Sequence, residues 1–271
     1  MTAATTGRPG VDTAGAGADA DARDTAAPAK ARGGWRALAV QPLLVLLGVA
    51  AYLVWRATAT LTETEARQLN ATALWTSIRE HLSLTLVAAV LVLVIAIPLG
   101  IALTRGPFRR LSPLVLAVAN TGQAAPAIGL FVLLAMWLGF GFRTTVIGLV
   151  LYAALPVLRN TMVGIQQVDA RLVEAGRGMG MSAAAVLFRV ELPLAVPVML
   201  AGVRTALVLL VGTATLATFI DGGGLGVLIN TGITLNLNSL LVSGAVLVAL
   251  LALAVDWIGR VVEHVARPKG L

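Results

Sequence analysis

Six long apolar runs, parted by short polar stretches, set the pattern of this chain. At 1.5 Å of rise per residue, such runs suffice to cross a hydrocarbon core about 30 Å thick as α-helices. The expected spans are Ala37–Trp55, Leu82–Thr104, Pro113–Leu138, Thr144–Ile165, Leu194–Ile220 and Leu240–Gly259. Pro98 bends the final third of the second, Asn120-Thr121-Gly122-Gln123 and Pro126 interrupt the third, and the fourth contains Pro156 and Asn160. Residues 56–80 form a polar connector with Glu63, Glu65, Arg67, Arg79 and Glu80. Arg105–Arg110 is a basic turn and Gly139–Arg143 a tight one, while the glycine-rich Asp221–Gly226 leads into a short apolar piece expected to be re-entrant. The pattern predicts an all-α polytopic membrane protein with about six transmembrane helices.

Gln167–Pro193 departs from this pattern. It carries Asp169, Arg171, Glu174, Arg177, Arg189 and Glu191 between two apolar runs. Each central charge would cost about 2.5–3.5 kcal/mol inside a membrane, so the segment belongs in water. Asp169 can cap a short helix with Leu172 and Val173 on its apolar side. Gly176, Gly178 and Gly180 are then expected to break that helix, and Ser182 to cap a second one, Ala183–Arg189. Leu192-Pro193 returns the chain to the membrane. A small helix–turn–helix lying across one face of the protein is the result.

Composition sharpens the class. The chain is 58% hydrophobic and 12% charged with a mean hydropathy of +0.90, which excludes an ordinary soluble domain. It has no cysteine, so disulfides and thiol chemistry are excluded. His81 and His264 lie at opposite ends of the chain, and no metal site is expected. Residues 1–34, rich in Ala, Gly, Thr and Asp, read as a disordered tail and not as a signal peptide, because the first apolar run starts only at Ala37. The net charge of +7 records orientation and not nucleic-acid binding. With segment 167–193 inside, that side holds Arg8, Arg23, Lys30, Arg32, Arg36, Arg105, Arg109, Arg110, Arg171, Arg177, Arg189, Arg260, Arg267 and Lys269. The outside holds Arg56, Arg67, Arg79 and Arg143. This asymmetry obeys the positive-inside rule and places both termini on the cytoplasmic side.

Polar residues at membrane depth are the candidates for function. Asn120, Gln123 and Pro126, with Asn160, Thr213, Thr215 and Thr218, either line a path for solute or act as hydrogen-bonding glue between helices. Arg204 either snorkels to the inner interface or pairs and braces the fifth span; Asp256, beside Trp257 and Arg260, reads as an ordinary interfacial cluster. Gly222, Gly223, Gly224 and Gly226 let backbones approach closely at the outer mouth, where a gate would close. They are no phosphate loop, since no Gly-Lys-Ser/Thr follows. Without a Walker sequence the chain is not expected to hydrolyse ATP, and no catalytic residue is assigned. Without a buried Asp/Glu/His chain it is not expected to run on protons. A scaffold recruiting a cytoplasmic protein would use the same segment but has no need of a polar break at mid-membrane.

Glu174-Ala175-Gly176, three residues, Gly180, nine residues, Val190, one residue and Leu192-Pro193 resembles the loop signature of ATP-binding-cassette (ABC) importer permeases. Gly176 stands where the signature has alanine, and Val190 where it has isoleucine. The resemblance covers residues 75–262. The stretches HLSLTL (81–86), IPLGIAL (97–103) and AGVRTALVLLVGTATLATFIDGGGLGVLI (201–229) are similar to the glycine betaine/carnitine/choline branch. It implies a type I, MetI-like core with a cytoplasmic coupling helix, and domains 1–34 (tail), 35–74 (first helix and connector), 75–262 (permease, coupling loop 167–193) and 263–271 (tail). The implied partners are a cytoplasmic ATPase dimer, a second permease subunit, an external solute-binding protein and membrane lipid. The chain itself would hold no cofactor, ATP and Mg being bound by the ATPase. Glu174, Ala175, Gly176, Gly180, Leu192 and Pro193 would couple to that ATPase. Quaternary ammonium groups sit in aromatic cages. Trp35, Tyr52, Trp55 and Trp257 lie near span ends as anchors, so selectivity is expected to reside in the binding protein.

Overall fold

The computed structural model describes residues 35–266, and no strand occurs among them. The tail 1–34 and residues 267–271 lie outside the described residues. Helix α1 (Trp35–Thr58) is followed by the short α2 (Glu63–Gln68) and the long α3 (Ala71–Leu103). A 3₁₀ turn, Gly106–Leu111, leads to α4 (Ser112–Ala124) and α5 (Ala127–Leu138), and then α6 runs from Phe142 to Gln166. Helices α7 (Ala170–Gly178) and α8 (Ala183–Val186) make up most of the charged segment. A π turn, Leu187–Glu191, joins α8 to α9 (Leu192–Thr213), which tightens into a 3₁₀ turn over Ala214–Ile220. Last come α10 (Gly226–Thr234) and α11 (Asn238–Ala266).

Five helices are long and apolar enough to cross a membrane. The expected third span is instead a pair, α4 and α5, bent by 101°. Each half, at 13 and 12 residues, is roughly 20 Å long and cannot cross a 30 Å core alone. The break is narrower than the polar cluster suggested. Asn120 to Gln123 remain helical, and the chain turns only at Ala125, whose position before Pro126 disfavours helical backbone. The apolar piece expected to be re-entrant is α10, a nine-residue helix packed against α11.

The polar connector is also shorter than expected. Asn70 Oδ1 accepts the Ala73 N–H at 2.8 Å and starts α3 well before Leu82, so Arg79 and Glu80 are helical and the domain boundary expected at residue 75 falls inside a helix. Within the remainder, Thr62 and Glu65 form a reciprocal capping box on α2. The last span likewise passes Gly259 and ends at Ala266.

The main core lies among α3, α5, α6 and α9, where Leu84, Phe131, Leu149 and Leu210 are buried. Arg204 does not snorkel away from this bundle. Its Nε donates to Asp256 Oδ1 at 2.6 Å, joining α9 to α11. Asp256 Oδ2 also accepts from Gln41 Nε2 at 2.9 Å and Arg260 Nε at 3.0 Å, while Trp257 Nε1 donates to the Leu38 carbonyl at 2.8 Å. The cluster expected to be merely interfacial is thus the knot that ties α1 and α9 to α11.

Candidate functional site

Segment 167–193 begins as its sequence predicts. The Asp169 side chain accepts the Arg171 N–H at 2.9 Å, and α7 follows. It does not break at all three glycines, however. Gly176 and Gly178 are helical, and only Gly180 takes positive φ, at +81°. There the Gly180 N–H donates to the Arg177 carbonyl at 2.9 Å and the Met181 N–H to the Gly176 carbonyl at 3.1 Å. This pair of reversed bonds terminates a helix on a left-handed residue. Gly176 is buried, and a Cβ on it would lie 3.4 Å from Met181 Sδ and Val186 Cγ2, in ordinary contact.

Ser182 Oγ then accepts the Ala185 N–H at 3.2 Å and starts α8. This second helix was expected to stop at Arg189, before Leu192-Pro193, yet it continues into α9. Pro193 has no N–H for the Arg189 carbonyl, and its ring would crowd that group. The backbone widens to the π turn instead, with the Leu192 N–H donating to the Leu187 carbonyl. Segment and span are therefore one helix from Ala183 onward. Glu174, Ala175, Leu172, Met179 and Phe188 are exposed around it together with Arg171, Arg177 and Arg189, a mixed apolar and charged surface.

An ion pair fixes the junction. Arg105 Nη1 donates to Glu191 Oε1 at 3.1 Å, and Nη2 meets Oε2. Glu191 is only 4% exposed, so its carboxylate depends on this partner. Burial, and then repulsion from Arg177, pull the Arg105 guanidinium below its ordinary range. The last turn of α7 thus overhangs the same junction. Neither partner could be paired from sequence; the one hint was a glutamate just before Leu192-Pro193 and an arginine at a span end with no local acid.

The polar mid-span residues make separate contacts. Gln123 Nε2 reaches the Tyr152 carbonyl at 3.4 Å, the group that Pro156, four residues on, cannot satisfy. Asn160 Nδ2 donates to the Pro156 carbonyl at 2.8 Å, and its Cβ lies 2.5 Å from where a side chain on Gly202 would begin. Asn120 is exposed and has no hydrogen-bond partner among the described residues, while Pro126 follows the bend. Thr213 closes α9, and Thr215 and Thr218 lie in the 3₁₀ turn, where Thr215 Oγ1 donates to the Gly212 carbonyl at 2.7 Å.

At the opposite end of α9 the glycine run packs with almost no clearance. The Gly224 N–H donates to Glu80 Oε2 at 2.9 Å. His81, fully buried, sets Nε2 3.0 Å from the Val211 carbonyl; a carbonyl only accepts, so that nitrogen carries the proton. A Cβ on Gly223 would sit 2.6 Å from Glu80 Oε2, one on Gly222 would strike Thr145 Oγ1, and one on Gly226 would strike the Thr215 carbonyl. Glu80 was read only as part of a polar connector and His81 only against a metal site, so neither was singled out as a neighbour of the glycine run. Among the described residues no three His, Cys, Asp or Glu side chains gather to hold a metal.

Known proteins resemble this chain. A family described as the binding-protein-dependent transport system inner membrane component matches residues 96–267. The glycine betaine/carnitine/choline transport system permease protein OpuCB of Bacillus subtilis is 41% identical over 192 residues, 71% of this chain and 88% of that one. The carnitine transport permease protein OpuCB of Listeria monocytogenes is 38% identical over 71% of this chain and 87% of its own. The osmoprotectant import permease protein OsmW of Salmonella typhimurium is 36% identical over 71% and 91%. Among solved structures, a chain of the inward-facing MetNI methionine ABC transporter superposes with a TM-score of 0.64 at 22% identity, covering 77% of this chain and 100% of that one. A chain of an amino acid ABC transporter with histidines gives 0.61 at 15% identity, covering 76% and 99%. These superpositions establish a shared fold.

Proposed function

The chain belongs to the binding-protein-dependent transport system inner-membrane-component family, and on that premise we propose that it is the permease of an ATP-driven importer of osmoprotectants. Its solutes are glycine betaine, choline, carnitine and proline betaine, delivered by an external binding protein. The transport reading rests above all on the continuity of segment 167–193 with α9 through the π turn. A partner that moves the exposed Phe188 moves a membrane span with it, and α7, which carries Glu174 and Leu172, packs on that same helix through the buried Gly176. The solute class rests on the relatives, whose identity extends over about seven tenths of this chain.

In this mechanism a cytoplasmic ATPase dimer docks on the exposed surface of α7 and α8, and its closure on ATP draws two permease subunits together. Glu174 makes the polar contact with the ATPase, and Gly180 holds the turn. ATP and Mg stay on that partner. Asn120, exposed beside the α4–α5 bend, faces the solute path, and the glycine run closes its outer mouth. Both termini and segment 167–193 face the cytoplasm, as the distribution of Lys and Arg supports.

The test is uptake of radiolabelled glycine betaine, choline and carnitine at high salt, in cells with and without this chain. Deletion abolishes uptake, wild type restores it, and Glu174→Lys at equal membrane level does not. Unchanged uptake of all three on deletion assigns the permease to another small polar solute.

A further inference from the structure

A second site stands beside the glycine run. Helix α3 has 33 residues, roughly 50 Å, so its N-terminal 20 Å or so stands clear of a 30 Å hydrocarbon core. That protruding part carries Trp75, Thr76, Arg79, Glu80 and Ser83 on one helical face. Together with Phe142 at the start of α6 and Gly222, they line a cavity of about 360 Å³. This volume falls in the range of small-molecule sites, roughly 300–1,000 Å³.

The lining has two chemistries. Trp75 and Phe142 are exposed aromatic rings, and Glu80 brings a carboxylate to the same space. Aromatic faces with a nearby anion suit a cation that cannot donate hydrogen bonds. Arg79 has no ion-pair or hydrogen-bond partner among the described residues, and its guanidinium fork suits a carboxylate. A tryptophan anchoring the protein in lipid headgroups would not need an acid and a base converging with it on one cavity.

We propose that this cavity receives zwitterionic quaternary-ammonium solutes before they enter the membrane, with the cation against Trp75, Phe142 and Glu80 and the carboxylate on Arg79. The proposal rests on the osmoprotectant reading above and adds a selective step within the permease. Glu80 also accepts the Gly224 N–H, so a bound cation competes for the carboxylate that holds the glycine run in place.

Equilibrium binding of radiolabelled glycine betaine tests it, using the full chain with its ATPase in lipid nanodiscs and no binding protein. Wild type binds saturably. 3,3-Dimethylbutanoate, which keeps the shape and carboxylate but lacks the positive charge, competes at least about tenfold more weakly. Trp75→Leu weakens binding about tenfold while Trp75→Phe restores most of it. Arg79→Gln weakens glycine betaine but leaves choline, which has no carboxylate, unchanged. A purely structural role would not move that ratio. Absence of saturable binding, or equal binding by all variants, overturns the proposal. If cells carrying the complete system take up none of the three solutes, the osmoprotectant reading fails first and the site falls with it.

Discussion

The two ends of α9 are built on opposite principles. At the Leu192 end, contact is made by side chains: Arg105 with Glu191, Asp169 and Ser182 as caps, and exposed Leu172, Met179 and Phe188. At the Ile220 end, contact is made by removing side chains, so that Gly222, Gly223 and Gly226 meet Thr145, Glu80 and Thr215 directly. Side-chain contacts stretch and re-form as long polar groups swing. Backbone contacts against glycine have one fit and lose it within a fraction of an ångström. Under the proposed mechanism, a chain moved from one end and sealed at the other has use for both.

The sharpest way to break this contrast is Gly226→Val. Its Cβ would enter the Thr215 carbonyl, which belongs to the backbone and cannot swing aside. A loss of about 4 kcal/mol or more is expected, seen as little folded protein in the membrane and a collapsed melting temperature. At the other end, Arg105→Met strands the buried Glu191 charge. It is expected to cost about 3 kcal/mol, the lower end of the range for a broken buried pair, because Arg105 is itself 36% exposed. Arg105→Met combined with Glu191→Met should recover much of that in the same thermal melts. A double variant as unstable as the single would argue that the pair is not the junction.

Smaller effects separate the glycines of α7. Gly180→Val imposes a left-handed valine, costing about 1–2 kcal/mol, and abolishes uptake while membrane level stays normal. Normal uptake at normal level would sink the coupling role of that turn. Gly176→Ala restores the residue of the loop signature where the new methyl has room, so stability holds or rises by up to about 1 kcal/mol and uptake is retained.

The smallest effect is on pH. Hydrogen bonds from the Thr62 backbone, then its hydroxyl, then Ser239 hold the Glu65 carboxyl below its ordinary value of 4.5, overcoming desolvation. Its side chain is covered by these immediate neighbours but stays close to bulk water. With the folded pKa depressed, its contribution is complete well above pH 4.5 and fades as pH falls through the folded value. The protection factors of the α2 amides, taken against the intrinsic exchange rate at each pH, should therefore fall on acidification in that window and not between pH 6 and 8. Glu65→Gln should flatten the change.

Much of this was legible locally. Hydropathy located five spans, and Asp169, Gly180 and Ser182 marked the helix ends of segment 167–193 because capping and left-handed backbone are local chemistry. What escaped was long-range or depended on a partner. Arg105 finds Glu191 across 86 positions and Arg204 finds Asp256 across 52, and no spacing rule reaches that far. Arg79 and Glu80 looked like loop residues because charge was taken as a sign of irregular structure. A helix protruding from the membrane carries charge as readily as a loop does. The π turn escaped for a related reason: Pro193 removes one donor, and a helix can answer by widening as well as by stopping.

That widening has a mechanical consequence. From Ala183 to Thr213 the helix is a lever roughly 46 Å long, and pivoting it by 5° carries its tip about 4 Å. The tip is where Val211 meets His81 at 3.0 Å and Thr215 faces Gly226 with no room for a side chain between them. A rotation of one or two degrees, imposed on the water-exposed arm, is enough to unseat it.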